Sequence, residues 1–291
     1  MSSQFDIGIY GGDLRQVYMA EAYLLKGFRV ATYSIAETVS HKNCFPMHTL
    51  NELFGNCKIL IGPIPMSRDQ ICIIASAAPS DLTLAHVAYL LKEHHILIGG
   101  NIPYSLTELC DSRNIIYYDL MKDEKVTILN AVATAEGTIM EAIASSDRNL
   151  QGSKCLVLGY GRCAKVLAYK LKALDACVTV AARSEEALAY AATAGYQVVN
   201  LSNIKCILPS FHFIFNTIPA PVLNKDYLDL VDPHVAIIDI ASAPGGVDFA
   251  YARQLNIFAK SCLGLPGKVS PRTSADILVT EINRFIKERS D

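Results

Sequence analysis

The chain lacks most of the features that would place it at a glance. Charge of one sign is missing: 26 Lys and Arg stand against 28 Asp and Glu in 291 residues, a formal net charge of -2. A broad electrostatic surface for nucleic acid needs an excess of cations, so that class is excluded. No N-terminal segment joins a charged start to a long apolar stretch. The longest apolar runs, such as Ile71 to Ala78, are far too short to cross a bilayer. The expectation is a cytoplasmic protein with no membrane role. Nine cysteines include no Cys-x-x-Cys pair. An odd, scattered set fits reduced thiols packed as small apolar residues better than disulfides or a zinc site. None of the seven histidines has a metal-ligand or triad spacing, so no metal is expected, and His94 and His95 read as structural. Low-complexity and repeated segments are also missing.

What is present is hydrophobic residue, 51% of the chain, enough for two domains of ordinary size. Short β-rich runs alternate with helical ones. The first series of strands is Ile7 to Tyr10, Arg29 to Tyr33, Lys58 to Ile61, Ile71 to Ala75, Ile96 to Gly99 and Ile115 to Tyr118. Leu14 to Lys26 has helical spacing and stops at Gly27; Leu82 to Leu91 is a second helix, opened by Ser80 or Asp81. Val126 to Ser145 is helical and rich in alanine. A second series follows: Lys154 to Leu158, Cys177 to Ala181, Gln197 to Asn200, His212 to Asn216, Val235 to Ile240 and Ile257 to Ala259, then a last helix from Ser274 to Lys287. The fold expected is α/β, with two Rossmann-like parallel-sheet domains joined by a long connecting helix. The boundaries are 1–125 for a substrate or partner domain, 126–147 for the connector and 148–271 for a nucleotide domain. The helix over 272–291 is expected to pack at the junction.

The strongest motif is LVLGYGRCA, where Gly159, Gly161 and Ala164 spell G-x-G-x-x-A directly after a strand. Gly159 permits a tight turn, Gly161 lets a pyrophosphate approach the backbone, and Ala164 lets the helix lie close to the sheet. Tyr160, Arg162 and Cys163 complete that turn. At the end of the next strand an NAD site places an acid on the ribose 2′-hydroxyl. Here Arg183 and Ser184 stand instead, a guanidinium and a hydroxyl suited to a 2′-phosphate, so NADP is expected. Ser184 also suits the cap of the helix that begins at Glu185. Further strand-end loops, with Asn216, Thr217, Ile218 and Pro219 in one, Ala241 and Ser242 in the next, and Leu265 in a third, are expected to line the same crevice.

The N-terminal GGDLRQ turn, residues 11–16, lacks the G-x-G-x-x-G spacing, and Asp13 would repel a phosphate. It is read as a substrate-facing turn rather than a second nucleotide site. Arg15 either holds a substrate carboxylate or forms an ion pair with Asp13.

Taken in order, GGDLRQ, AEGTIMEAI at 135–143, LGYGRCA, AARS at 181–184, NTIP at 216–219, PGGVDFAYA at 244–252 and GLPGKVSPRTSADIL at 264–278 resemble the A subunit of dipicolinate synthase of spore-forming bacteria. More distantly, the second half is similar to methylenetetrahydrofolate, shikimate and alanine dehydrogenases. The resemblance implies a small cyclic dicarboxylate substrate, 4-hydroxy-tetrahydrodipicolinate from the lysine pathway. This loses water and is oxidised with NADP to pyridine-2,6-dicarboxylate for sporulation, in the mother-cell cytoplasm. It also implies a flavoprotein-like partner, the B subunit of dipicolinate synthase; a homo-oligomer stays open. One departure is Ala243, where the family pattern leads one to expect a basic residue. Candidates for proton handling are Glu136 and Thr138; candidates for substrate binding are Arg15, Asn101, Thr134 and Arg272. Two other readings stand beside this one. Tyr118 and Lys122 spell the Y-x-x-x-K of folate dehydrogenases, and the chain would also serve as a non-catalytic NADPH-binding partner of a flavoprotein.

Overall fold

The computed structural model describes residues 4–77 and 79–289. The chain divides into two compact units, one formed by Met1–Leu129 with Ser270–Asp291 and the other by Asn130–Val269. In the first unit the elements are β1 (Phe5–Tyr10), α1 (Leu14–Leu25), β2 (Val30–Tyr33), β3 (Cys44–Pro46), α2 (Leu50–Asn56), β4 (Cys57–Ile61), α3 (Leu84–Leu90), β5 (Ile96–Gly99), α4 (Tyr104–Ser112) and β6 (Ile116–Asp119). Helix α5 (Glu124–Ala144) continues from the first unit into the second. There follow β7 (Lys154–Leu158), α6 (Arg162–Ala173), β8 (Cys177–Ala182), α7 (Glu185–Thr193), β9 (Gln197–Asn200), β10 (Phe213–Asn216), α8 (Lys225–Leu228), β11 (Ala236–Asp239), α9 (Phe249–Gln254), β12 (Phe258–Ser261) and α10 (Leu265–Val269). Helix α11 (Pro271–Lys287) belongs to the first unit.

Each unit holds one six-stranded parallel sheet. The orders are β3-β2-β1-β4-β5-β6 and β12-β11-β10-β7-β8-β9. Both are doubly wound, with the strand order reversing beside β1 and β4 in one unit and beside β7 and β10 in the other. Central strands such as FDIGIY and FIFN are almost wholly buried, as sheets covered on both faces require. Helix α1 starts at a complete capping box: the Asp13 carboxylate accepts the Arg15 N–H at 3.0 Å, and the Gln16 side chain accepts the Asp13 N–H at 3.0 Å. It ends at Gly27, whose φ of +86° is the left-handed stop expected there.

The alternation is readable in the sequence, but the short elements β3, α2, α4, α8, α9 and α10 are not among those its pattern predicts. The run Ile71 to Ala75 is no strand of the sheet. Its backbone makes isolated bridges, Ser67 with Ile73, Cys72 with Thr83 and Gly12 with Ala75. It is a strap over the carboxyl edge, and its apolar residues fill that cover rather than the sheet. Helix α3 is capped by Thr83, not by Ser80 or Asp81. Asp81 instead accepts from the Tyr33 hydroxyl and from the Leu50 N–H.

Helix α5 has the length and apolar character to cross a bilayer, but half of that stretch is buried inside the protein. Ala135, Thr138 and Ala142 have no exposed surface, so it reads as a core helix. All nine cysteines are free. Burial pushes the Cys57 and Cys155 thiols up to about 12, which leaves them inert at neutral pH. His95 is a core residue: its Nδ1 accepts the Lys92 N–H at 3.0 Å and Nε2 lies 3.1 Å from the Phe54 carbonyl. Burial lowers its pKa to about 4.

Helix α11 packs on α1 through Leu278, Val279 and Ile282 against Met19, Tyr23 and Leu24. Each fully buried aliphatic side chain there contributes about 1.5–3 kcal/mol. At its far end Glu281, 1% exposed, bonds to the Lys125 ammonium and accepts from Arg284 Nε at 2.7 Å. Bonds from Lys125 and then Arg284 hold its carboxyl below the ordinary value of 4.5. A depressed carboxylate stabilises the fold above its unfolded pKa and loses that contribution as pH falls through the folded one. Glu281→Gln should therefore cost about 1–3 kcal/mol at neutral pH, and its gap from wild type should narrow on acidification. Urea titrations at several pH values check this; a gap that does not change with pH would remove the ion pair from the account.

Candidate functional site

In the second unit the glycine turn follows β7. Gly159 has φ +94°, and its N–H bonds to the Ala181 carbonyl at 2.8 Å. A Cβ there would lie 2.5 Å from Thr217 Oγ1. Gly161 is the N-cap of α6, with no side-chain cap bond among the described residues, and a Cβ on it would meet no atom within 4 Å. The amino end of α6 thus faces open space beside a bare backbone, which fits a pyrophosphate. Tyr160 is half-buried, Arg162 exposed, and Ala164 fully buried against the sheet. The thiol of Cys163 is half-buried and hydrogen-bonds with Thr134; burial raises its pKa.

Arg183 leaves the end of β8 exposed, with no hydrogen bond or ion pair among the described residues. Ser184 caps α7 by accepting the Ala187 N–H at 3.3 Å. A hydroxyl that accepts in this way keeps its proton to donate, so capping and anion contact are compatible. The glycine turn, Arg183 and Ser184, the residues that could hold a dinucleotide, are therefore at the same edge of one sheet.

The neighbouring loops are fastened by buried polar groups. The Thr217 hydroxyl and N–H both bond to the Leu158 carbonyl, at 2.8 and 3.1 Å. Asn216 is fully buried: its amide donates to Ile218 O at 3.0 Å and to Asp239 Oδ1 at 2.8 Å, and its Oδ1 accepts the Ile218 N–H at 3.2 Å. Asp239 also accepts from Ala241 N at 2.9 Å and Gly246 N at 2.8 Å. Asn216, Ala241 and Leu265 are thus buried supports, while Pro219 and Ser242 are exposed and Ile218 half-exposed. Asp239 was missed in the sequence because its partners lie up to 23 residues away; the only local sign was an acid closing an apolar strand.

Thr134, Glu136 and Thr138 lie on α5 within the second unit. Thr134 bonds to Asn130 O at 3.1 Å, and the fully buried Thr138 to Thr134 O at 2.7 Å. Glu136 is exposed and pairs with Lys170 Nζ at 2.9 Å.

Arg15, Asn101 and Arg272 lie in the first unit. Arg15 is 5% exposed and grips Asp13 twice, Nε to Oδ1 at 2.9 Å and Nη2 to Oδ2 at 2.8 Å, while Nη2 also donates to the Ile64 carbonyl. Of the two roles weighed for it, the ion pair with Asp13 is present. Arg272 pairs with Glu21 at 3.2 Å and lies over the Tyr18 ring at 4.2 Å. Asn101 is exposed, with φ +48°, and its N–H bonds to Asp119. The backbone of the GGDLRQ turn is internally satisfied: Gly11 N–H bonds to Tyr33 O, Gly12 N–H to Ile74 O, and Asp13 N–H to Gln16. It offers a phosphate no cradle of the kind seen at Gly161. The Tyr118 hydroxyl donates to Asp123 at 2.7 Å and its ring stacks on Phe285, which gives Tyr118 a packing role, while Lys122 is exposed.

Two doubly wound sheets, one with a strand–G-x-G-x-x-A–helix turn, define the dinucleotide-dehydrogenase class of fold. The transhydrogenase from Sinorhizobium meliloti has this fold, at a TM-score of 0.64 and 14% identity over 96% of this chain and 94% of that one. Residues 6–121 match the N-terminal domain of the dipicolinate synthase A subunit. The chain is 37% identical over 247 residues to the A subunit of dipicolinate synthase of Bacillus subtilis (strain 168), covering 80% of this chain and 83% of that protein. It superposes on the crystal structure of the dipicolinate synthase A subunit from Bacillus halodurans with a TM-score of 0.86 at 28% identity, over 98% of both chains. The chain belongs to the family of dipicolinate synthase A subunits.

The two turn glycines should separate on mutation. Gly159→Ala forces a side chain into a left-handed backbone and against Thr217, and should cost about 1–3 kcal/mol. Gly161→Ala meets nothing in the protein and should stay within about 0.5 kcal/mol of wild type. Thermal unfolding of both variants checks this, and equal losses would contradict the geometry.

Proposed function

We propose that this chain is the dehydrogenase component of dipicolinate synthase, oxidising dehydrated 4-hydroxy-tetrahydrodipicolinate to pyridine-2,6-dicarboxylate with NADP. The observation that carries the reading is the 37% identity to the Bacillus subtilis protein across 80% of the chain, with the glycine turn of the dinucleotide fold intact. Loss of water gives a dihydropyridine. Departure of one hydride and one proton then makes the ring aromatic, so the barrier is mostly one of positioning and proton removal. The cofactor, when bound, accepts the hydride.

The chain's own residues have distinct parts in this proposal. Gly159 to Ala164 hold the pyrophosphate, and Arg183 and Ser184 hold the 2′-phosphate that distinguishes NADP. Glu136 is the proposed proton acceptor, its exposed carboxylate held beside the Lys170 ammonium. Thr138 keeps its turn of α5 in place, because its hydroxyl is already bonded to Thr134 O. Thr134 steadies Cys163 of the glycine turn. Asn101 and Arg272 offer exposed polar groups to a dicarboxylate, and Arg15 fixes the turn on the substrate side. The partner is a flavoprotein-like second subunit, and the setting is the cytoplasm of a sporulating cell. The binding of Tyr118 to Asp123 weighs against a folate-type dehydrogenase.

The deciding assay is NADPH formation from freshly made 4-hydroxy-tetrahydrodipicolinate in the presence of the purified second subunit. Absorbance of NADPH should rise; no rise with or without the partner would sink the reading and favour a nucleotide-binding protein without chemistry. Cofactor choice has its own test. One charge-assisted contact contributes roughly 1.5–3 kcal/mol, so Arg183→Ala should weaken NADP about 10- to 100-fold and NAD little. Equal losses for both nucleotides, by fluorescence titration, would take the 2′-phosphate role away from Arg183.

A further inference from the structure

The carboxyl edge of the first sheet carries an arginine that the functional reading has not used. Arg68 lies in the segment that leaves β4 and returns over the GGDLRQ turn. The segment is held firmly. Arg15 donates to the Ile64 carbonyl, Gly12 N–H bonds to Ile74 O, Met66 N–H bonds to Gly100 O at 2.8 Å, and Ser67 bridges Ile73 in antiparallel fashion. Arg68 sits in the bend enclosed by that last bridge. It is exposed and has no hydrogen bond or ion pair among the described residues.

Two acids nearby would ordinarily neutralise it, and both are committed elsewhere. Asp69 is exposed and fastens its own bend, where Oδ1 accepts from Ile71 N at 2.9 Å, Cys72 N at 2.8 Å and Ser67 Oγ at 3.1 Å. Asp13 is gripped twice by Arg15. Burial would raise the Asp13 carboxyl, but bonds from Arg15 and the charges of Arg15 and Arg68 leave it below its ordinary value. Arg68 is thus close enough to act on the turn, yet unpaired with it. Asp13 and Asp69 balance Arg15 and Arg68 in charge, but the Arg68 guanidinium itself makes no bond to either acid. It stands at the strand-end edge where doubly wound sheets bind ligands.

The backbone donors that follow β5 are already taken. Gly100 N–H bonds to Pro63 O, and Asn101 and Ile102 N–H both bond to Asp119. A carboxylate arriving there is better met by a side chain, and a planar guanidinium can meet it with two parallel bonds.

We propose that Arg68 is a substrate-binding residue that grips one carboxylate of the cyclic dicarboxylate, the Asp13–Arg15 pair serving as the fixed platform beneath it. This rests on the proposed dipicolinate synthase activity. The test is calorimetry of pyridine-2,6-dicarboxylate and of pyridine-2-carboxylate with wild type, Arg68→Ala and Arg68→Lys, with NADP binding measured in parallel and turnover with the second subunit present. A charged hydrogen bond of the usual strength predicts a loss of roughly 10- to 100-fold for the dicarboxylate in Arg68→Ala, with a matching rise in KM. The preference for two carboxylates over one should shrink in that variant, Arg68→Lys should recover part of it, and NADP affinity should stay within about twofold of wild type, a change too small to reflect a lost charged contact. If wild type turns over the substrate and Arg68→Ala binds the dicarboxylate as tightly, the assignment of Arg68 is wrong and the activity stands. If wild type neither binds the dicarboxylate nor turns over its precursor, the functional reading fails, and the assignment with it.

Discussion

Backbone N–H groups at the carboxyl ends of buried parallel strands must find acceptors, and in this protein aspartates supply many of them. Asp119 accepts from Asn101, Ile102 and Met121. Asp239 accepts from Ala241 and Gly246. Asp13 and Asp69 fasten their own turns in the same way. An unmet buried N–H costs about 1–3 kcal/mol, so the loops at these edges take the shapes that the carboxylates allow. Asp13 is also paired with Arg15, and Asp69 bonds to its own loop, so neither bonds to Arg68. Arg68 and Arg183 are left without partners among the described residues, one at an edge of each sheet. A chain with nearly balanced total charge thereby presents an unpaired guanidinium at an edge of each sheet.

The same accounting separates the two strand-to-helix turns, which look alike as sequence. After β1 the strap over residues 71–75 lies on the turn, takes the Gly12 N–H through Ile74 O, and would clash with a Cβ on Gly11 at 2.6 Å. After β7 the corresponding loop reaches back through Thr217, to the Leu158 carbonyl, and through Ile218, beside Gly159, and a Cβ on Gly161 meets nothing within 4 Å. One glycine pair is used for close packing of protein on protein. The other leaves the backbone at Gly161 open.

Much of this was legible in the residues. Alternating apolar runs gave both sheets, because strands covered on both faces must be apolar throughout. Helical spacing from Leu14 gave α1, and the spacing of Gly159, Gly161 and Ala164 gave the strand-to-helix turn after β7. The remainder depended on contacts distant in sequence. Ile71 to Ala75 has the composition of a strand, and nothing local says that its partners are the Gly12 turn and Thr83 rather than β4. Asp239 and Asn216 are 23 residues apart, so neither position alone suggests a shared hydrogen bond. Arg15 is the clearest case. The sequence left it between a ligand and Asp13, and only the geometry shows both guanidinium bonds to the same carboxylate.

That geometry also bears on the loop that carries Ala243. The loop is anchored at both sides by Asp239, through Ala241 N and Gly246 N, and Ala243 itself is exposed. The carboxylate holds the loop, so its shape does not depend on the side chain at 243. An exposed position on a loop fastened from below can change its side chain without disturbing the scaffold, because the bonds that set the fold are made by other residues.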